Sequence, residues 1–194
     1  MKRSWKDYLF IASAVYLVLG FFNILFAWLG LLCFFIPPLV ALFGHGKAYC
    51  NSYCGRGQLF ELLGGRIGMS RKVNPPRFLR SKAFRYGFLL FFLMMFASML
   101  SGTYAVFEGK PLVEQITLLW AFRLPWEWTD TSIAPAWIAQ FAFGFYGVML
   151  TSTILGLGTM LLYKPRSWCV YCPMGTMTQG ICQIRHAKEV IDEK

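Results

Sequence analysis

Three long apolar blocks constrain the fold of this chain more than any other feature of its sequence. They span residues 8–43, 84–107 and 135–163. A helix that crosses a bilayer needs about 20 mostly apolar residues, so the second and third blocks each predict one spanning helix. Only 14% of the chain is charged, against roughly 25% in soluble domains. We therefore expect an all-α integral membrane protein, retained in the bilayer as a single membrane domain over residues 1–194.

The first block predicts a tight helical hairpin rather than one helix. It is too long for one straight span and short for two full ones, and we place the turn near Asn23–Gly30. Pro37 and Pro38 are expected to disturb the second arm and make it partly re-entrant, because proline inside a helix removes a hydrogen bond. The apolar run that follows Met1 is longer than the core of a signal peptide, so we expect a retained anchor.

The distribution of charge predicts the topology. The N-terminal residues and the loop 44–83 are basic, the loop 108–134 is mainly acidic, and the tail 164–194 is basic again near its start. Cytoplasmic loops of membrane proteins carry an excess of Lys and Arg. Two basic segments on one side require an even number of crossings between them. This reasoning gives four spans with both termini in the cytoplasm, and it accounts for the net charge of +10 without a nucleic acid partner.

The external loop carries a pattern of its own. Its apolar residues fall near helical spacing: Leu112, Val113, Ile116, Leu119 and Trp120. Further tryptophans follow, and tryptophan is enriched where membrane proteins meet the headgroup layer. We expect an interfacial amphipathic helix with an aromatic belt here. The alternative is a surface for a quinone or a protein partner.

Two cysteine pairs carry the chemistry. Cys50 and Cys54 form a C-x3-C motif after the first block, and Cys169 and Cys172 form a C-x2-C-P motif after the third. The cytoplasm keeps thiols reduced, which argues for a metal or redox site over disulfides. Four thiolates suit zinc or an iron–sulfur cluster. Three cations lie near the motifs: Lys47, Arg56 and Arg166. Their positive charges would offset the negative charges of the thiolates.

The remaining cysteines and the histidines are assigned to packing or to the surface. Cys33 lies in the first apolar block and is treated as a small buried hydrophobe. Cys182 would lie about 13 Å beyond the start of a helix that begins at Pro173, too far to share a compact cluster with Cys172. His45 and His186 are the two histidines. Neither lies within a span, where a bis-histidine haem would need them.

The two cysteine motifs, with Phe43–Phe60 and the run Pro76–Lys82, resemble the membrane 4Fe-4S-binding electron-transfer proteins related to NapH, NosR and CcoG. The resemblance implies a bacterial cytoplasmic-membrane protein with one [4Fe-4S] cluster at the cytoplasmic face. Its ligands would be the four motif cysteines: Cys50, Cys54, Cys169 and Cys172. The chain shows none of the soluble ferredoxin segment that several relatives append, so electrons would pass through separate redox partners.

The expected function is electron relay between partner proteins, with a quinone as a further partner, rather than a stand-alone enzyme. Two alternatives stay open from the residues. One is a quinone-linked thiol–disulfide oxidoreductase, because four-helix membrane bundles with two cysteine pairs also perform that reaction. The other is a structural subunit of a membrane complex in which zinc joins the two motifs.

Overall fold

A computed structural model describes residues 8–45, 49–126 and 133–192. It is mostly helical. The α-helices follow in chain order: α1 (Leu9–Phe22), α2 (Gly30–Val40), α3 (Gly55–Glu61), α4 (Arg77–Arg80), α5 (Lys82–Phe107), α6 (Ala136–Leu162) and α7 (Pro173–Asp192). Four of the cations used in the charge argument lie outside the described residues: Lys2, Arg3, Lys6 and Lys47.

Three helical segments within the described residues are long and apolar enough to cross a membrane. They are Ile24–Phe43, Lys82–Phe107 and Ala136–Leu162, and the apolar helix α1 is shorter. The second and third correspond closely to the predicted spans 84–107 and 135–163. The expectation of a mostly helical protein is therefore confirmed, with three candidate membrane-spanning helices.

The first apolar block breaks at Asn23, inside the stretch where the sequence predicts a turn. Asn23 is extended, with φ −140° and ψ 114°. Its side-chain Oδ1 accepts a 3.0 Å hydrogen bond from the Leu25 N–H and so begins the 3₁₀ turn Ile24–Leu29 that leads into α2. The Tyr16 hydroxyl donates to the Ala27 carbonyl at 3.4 Å, which ties α1 to the segment after the break.

Helix α2 continues through Pro37 and Pro38. The backbone then changes to the wider π-helical turn Ala41–His45. The disturbance expected at the prolines is therefore absent from α2, and the partly re-entrant arm stays a prediction. Such π-helical turns are rare, and they are frequently found near functional sites.

Helices α5 and α6 pack along each other and form the centre of the bundle. Gly144 of α6 faces the side chain of Met99 on α5, so the helices approach closely. Aromatic rings fill the surrounding core, where Phe34 from α2 stacks on Phe96 with 5.0 Å between ring centroids. Phe145 is fully buried in the same cluster. These contacts bring α2 onto the α5–α6 pair.

The described part of the segment between α5 and α6 contains a β-hairpin, so the predicted interfacial helix is wrong. Strands β1 (Gln115–Leu118) and β2 (Phe122–Pro125) pair antiparallel. Leu119 and Trp120 lie in the turn with φ of 50° and 62°, values that residues other than glycine adopt infrequently. The spacing of apolar residues suited a helix, but contacts with α6 favour the hairpin.

The hairpin lies beside α6 rather than beyond its end. The Leu119 N–H donates to the Thr151 hydroxyl at 3.3 Å, and Thr151 is about 22 Å along α6 at a rise of 1.5 Å per residue. Gly147 leaves room for the Thr117 carbonyl, which a Cβ there would approach to 2.7 Å. The tip of the hairpin therefore reaches past the middle of the bundle.

Candidate metal centre

The two cysteine motifs share one local structure. The carbonyl of Cys54 accepts from the Gln58 N–H at 3.0 Å, and the carbonyl of Cys172 accepts from the Thr176 N–H at 2.9 Å. Each second cysteine thus precedes the first turn of a helix, α3 in one case and α7 in the other. The sequences Cys54–Gly57 and Cys172–Gly175 both read Cys-(Gly or Pro)-X-Gly.

The sulfur atoms of the second cysteines accept backbone N–H groups of these helix starts. Cys54 Sγ accepts from the Gly57 N–H at 3.5 Å. The N–H groups of Gly175 and Met174 donate to the sulfur of Cys172, although burial raises the pKa of this thiol overall. Free N–H groups at a helix start are hydrogen-bond donors, so each motif supplies donors to the sulfur of its second cysteine.

Glycines leave the space between the motifs open. A Cβ added at Gly57 would lie 3.7 Å from Cys54 Sγ and 3.8 Å from Cys169 Sγ. Gly57 therefore lies between a sulfur of each motif. A Cβ at Gly55 would meet the Leu9 carbonyl of α1 at 2.7 Å. This close approach explains why the first motif has Gly55 where the second motif has Pro173.

Helix packing brings the two motifs together. The aromatic side chains of Phe60, Trp168 and Tyr171 form a buried cluster with Met160. Phe88 of α5 contacts the rings of Trp168 and Tyr171 at centroid distances of 5.8 Å and 5.1 Å. Phe60 belongs to α3, and both Trp168 and Tyr171 lie in the second motif. The cluster thus holds the loop of one motif against the helix of the other.

One cavity of about 70 Å³ is lined by all four predicted ligands: Cys50, Cys54, Cys169 and Cys172. Cys50 Sγ also lies 3.8 Å from the Thr178 hydroxyl of α7. The structure therefore brings the four cysteines together from the two motifs. Their assignment as ligands stays a prediction.

Cys33 reaches the same cavity, although the sequence placed it in the core. Its thiol is within hydrogen-bonding reach of the Tyr49 side chain. Cys182 is absent from the described lining of the cavity. The side chains of His45 and His186 lie outside the described part of the structure. Cys33 is thus the additional thiol that spacing in the sequence did not indicate.

The thiols of the second motif are neutral in the absence of a metal. Desolvation raises the pKa of Cys169 and of Cys172 to about 12. Neighbouring cysteines add to the increase, because adjacent thiolates repel each other. Cys169 is exposed when all its atoms are considered, but its sulfur lies against the cavity. A bound cation would reverse this preference, since metal binding to cysteine releases protons.

The geometry fits a cluster of several metal ions better than one ion. A single zinc holds its four ligands at about 2.0–2.3 Å, so their donor atoms must crowd together. Among the described residues, no group of three or more His, Cys, Asp or Glu side chains is arranged to hold a metal ion. The cavity is also several times the roughly 10–15 Å³ that one water-sized sphere needs. In a [4Fe-4S] cluster each iron takes one cysteine, which spaces the sulfurs more widely.

A family model described as a 4Fe-4S binding domain matches residues 26–76 and 145–190, together half of the chain. The chain belongs to this 4Fe-4S binding domain family. The matched segments contain both cysteine motifs and the helices that position them, and they leave out α5 and the β-hairpin. Comparisons with curated proteins and with solved structures find no match. Membership in the family supports an iron–sulfur cluster as the cofactor.

The structure adds two details of the site that the sequence did not provide. Arg56 occupies the X position of the first motif, as Met174 does in the second, and its side chain lines the cysteine cavity. Thr178, which the sequence did not identify as a site residue, contacts Cys50. Alignment of Cys54–Gly57 with Cys172–Gly175 was the available signal, because it marks residue 56 as the position where the two motifs differ in charge.

Proposed function

We propose that this chain is a membrane-bound electron-transfer protein that holds one [4Fe-4S] cluster through Cys50, Cys54, Cys169 and Cys172. The observation that carries the proposal is the single cavity that all four cysteines line, in a chain of a 4Fe-4S binding domain family. When bound, such a cluster supplies one-electron transfer. Within this family, we propose that the chain is related to the group of NapH, NosR and CcoG.

The chain's own contribution is to hold the four thiolates and to exclude water. Backbone N–H groups from α3 and α7 donate to the sulfurs of Cys54 and Cys172. The aromatic cluster beside the second motif shields the site on the side of α5. Hydrogen bonds to the sulfurs and exclusion of solvent are two of the ways in which a protein sets a cluster potential.

We place the site at the cytoplasmic face of a bacterial inner membrane, in a bundle of four spans with both termini inside. The support is the charge distribution together with the break at Asn23. A reporter inserted near Met69 should read cytoplasmic, and one near Gly109 should read external. An external reading at Met69 would overturn this topology and favour the thiol–disulfide oxidoreductase, which would act on the oxidising side.

The proposed partners are redox proteins that donate and accept electrons, with a lipophilic quinone as a further partner. The quinone is supported by an apolar cleft of about 410 Å³ between α1 and α2, whose walls include Val15 and Leu32. Cys33, Tyr49 and Arg56 line both this cleft and the cysteine cavity. A ligand in the cleft would therefore lie beside the cluster.

The deciding experiment is iron and acid-labile sulfide analysis of protein purified without oxygen. We expect four irons and four sulfides per chain if one [4Fe-4S] cluster is bound. One zinc per chain with no sulfide would instead support the structural subunit. Neither metal nor sulfide, together with cysteines that cycle between thiol and disulfide in the presence of a quinone, would support the oxidoreductase.

A further inference from the structure

Arg56 places a positive charge among the helices of the bundle. Its Nη1 donates to the Ser152 hydroxyl at 2.5 Å, and its Nη2 contacts the Met149 sulfur at 3.2 Å. Both partners belong to α6, a helix that is long and apolar enough to cross a membrane. The Nε atom is buried and has no hydrogen-bond partner among the described residues.

These contacts orient the guanidinium but leave its charge uncompensated. Ser152 and Met149 are neutral, and no carboxylate in the described part of the chain pairs with Arg56. A buried charge is costly unless an opposite charge lies close to it. Ionisable residues inside membrane bundles usually have a functional role. The charge of Arg56 therefore calls for an anionic partner.

The cysteine cavity is where such a partner would lie. Arg56 lines this cavity together with the four motif cysteines, and it follows Cys54 by two residues. A [4Fe-4S] cluster with four thiolates is anionic in both oxidation states and gains one further negative charge on reduction. A fixed cation beside it stabilises the reduced form more than the oxidised form.

We propose that Arg56 is the fixed counter-charge of the cluster and raises its reduction potential. This inference rests on the proposed function and goes one step beyond it. Arg56 would act through its charge and would not bind iron. Its hydrogen bonds to α6 hold the guanidinium in place. The second motif has Met174 at the equivalent position, so the effect comes from the first motif alone.

The test is the midpoint potential of the cluster in Arg56→Met, which gives the first motif the side chain of the second. We expect the equilibrium between reduced and oxidised cluster to shift at least tenfold toward the oxidised form, which is about 59 mV for one electron. Arg56→Lys keeps the charge and should retain a potential closer to that of the wild type.

Arg166→Met is the matched control. Arg166 is a cation near the second motif, but it pairs with Glu61 at 3.2 Å and its side chain is 43% exposed. Removal of this solvent-screened charge should shift the potential less than Arg56→Met does. A fully loaded Arg56→Met protein whose potential is unchanged, or moves no more than that of Arg166→Met, would overturn the inference.

A second variant covers the case in which Arg56→Met fails to assemble a cluster. Ser152→Asp places a carboxylate beside the guanidinium and neutralises it without removing Arg56. We expect a lower potential here too, and an unchanged one would refute the counter-charge. Loss of the cluster from both variants would also refute the proposed effect on the potential, because the charge of Arg56 would then be needed for cluster assembly. Wild-type protein without iron would instead refute the proposed function itself.

Discussion

Cys54 has two roles in the structure that one substitution can separate. Its sulfur lines the cysteine cavity, and the same sulfur caps α3 by accepting the Gly57 N–H. Serine is among the preferred residues at this cap position. Its hydroxyl is a hard ligand, however, whereas iron–sulfur clusters are held by soft thiolates. Cys54→Ser should therefore abolish cluster binding and leave the cap intact.

The two roles of Cys54 affect different quantities, the cluster content and the free energy of unfolding. In Cys54→Ser we expect iron and sulfide to fall to background, while the free energy of unfolding of the metal-free protein changes by less than about 0.5 kcal/mol. Cys54→Ala removes the cap as well, so the metal-free protein should lose about 1 kcal/mol, within a range of about 0.5–2 kcal/mol. The difference between the two variants isolates the cap from the ligand.

The assay combines iron and sulfide analysis with unfolding of the metal-free proteins in detergent. Cys182→Ser is the control: Cys182 is outside the described lining of the cavity, so its iron content should match that of the wild type. A Cys54→Ser protein with full iron would refute the ligand assignment. Loss of iron from Cys182→Ser alone would show that the wrong cysteines had been chosen.

Two further substitutions test the packing around the site and the hairpin. Gly156→Ala should cost about 1–3 kcal/mol of unfolding free energy, because its Cβ would overlap the ring of Phe60. Gly158→Ala is the control and should cost nothing, because nothing lies within 4 Å of its Cβ position. Equal effects of the two substitutions would contradict this packing. Thr151→Val removes the acceptor of the Leu119 N–H and should destabilise by about 1–3 kcal/mol. Hydrogen exchange at the Leu119 amide should then accelerate, and an unchanged rate would rule out the bond.

The long helices could be predicted because their sequence signal is local. The blocks 84–107 and 135–163 became α5 (Lys82–Phe107) and α6 (Ala136–Leu162), since a run of some 20 apolar residues admits few other structures. The break at Asn23 lies in the predicted turn, because a side-chain oxygen that accepts a nearby N–H competes with the helix. Local rules suffice for these elements.

The β-hairpin could not be predicted in the same way. Residues 112–123 satisfy a helical spacing, and the turn has Leu119 and Trp120 where glycine or asparagine would be the usual signal. The hairpin depends instead on distant partners, such as Thr151 for the Leu119 N–H and Gly147 for the Thr117 carbonyl. Tertiary contacts of this kind override local preference and leave no pattern within the segment itself.

The candidate site was predictable to an intermediate degree. The spacing of the cysteines identified the two motifs, and the structure brings both to one cavity. Sequence showed that Arg56 is a nearby cation, but its hydrogen bond to Ser152 depends on how α3 packs against α6. Likewise, Cys33 lines the cavity because the segment Tyr49–Tyr53, which carries Cys50, packs against α2.

The depth of the β-hairpin dictates an order of assembly. A two-stranded sheet has open edges, and its free backbone N–H and C=O groups have no partners in lipid. The hairpin is stable at that depth only beside α6, because α6 supplies the Thr151 hydroxyl as a hydrogen-bond acceptor and leaves space for the hairpin at Gly147. Insertion of α5 and α6 must therefore come first. The connecting segment then packs into the groove between them as a late step of assembly.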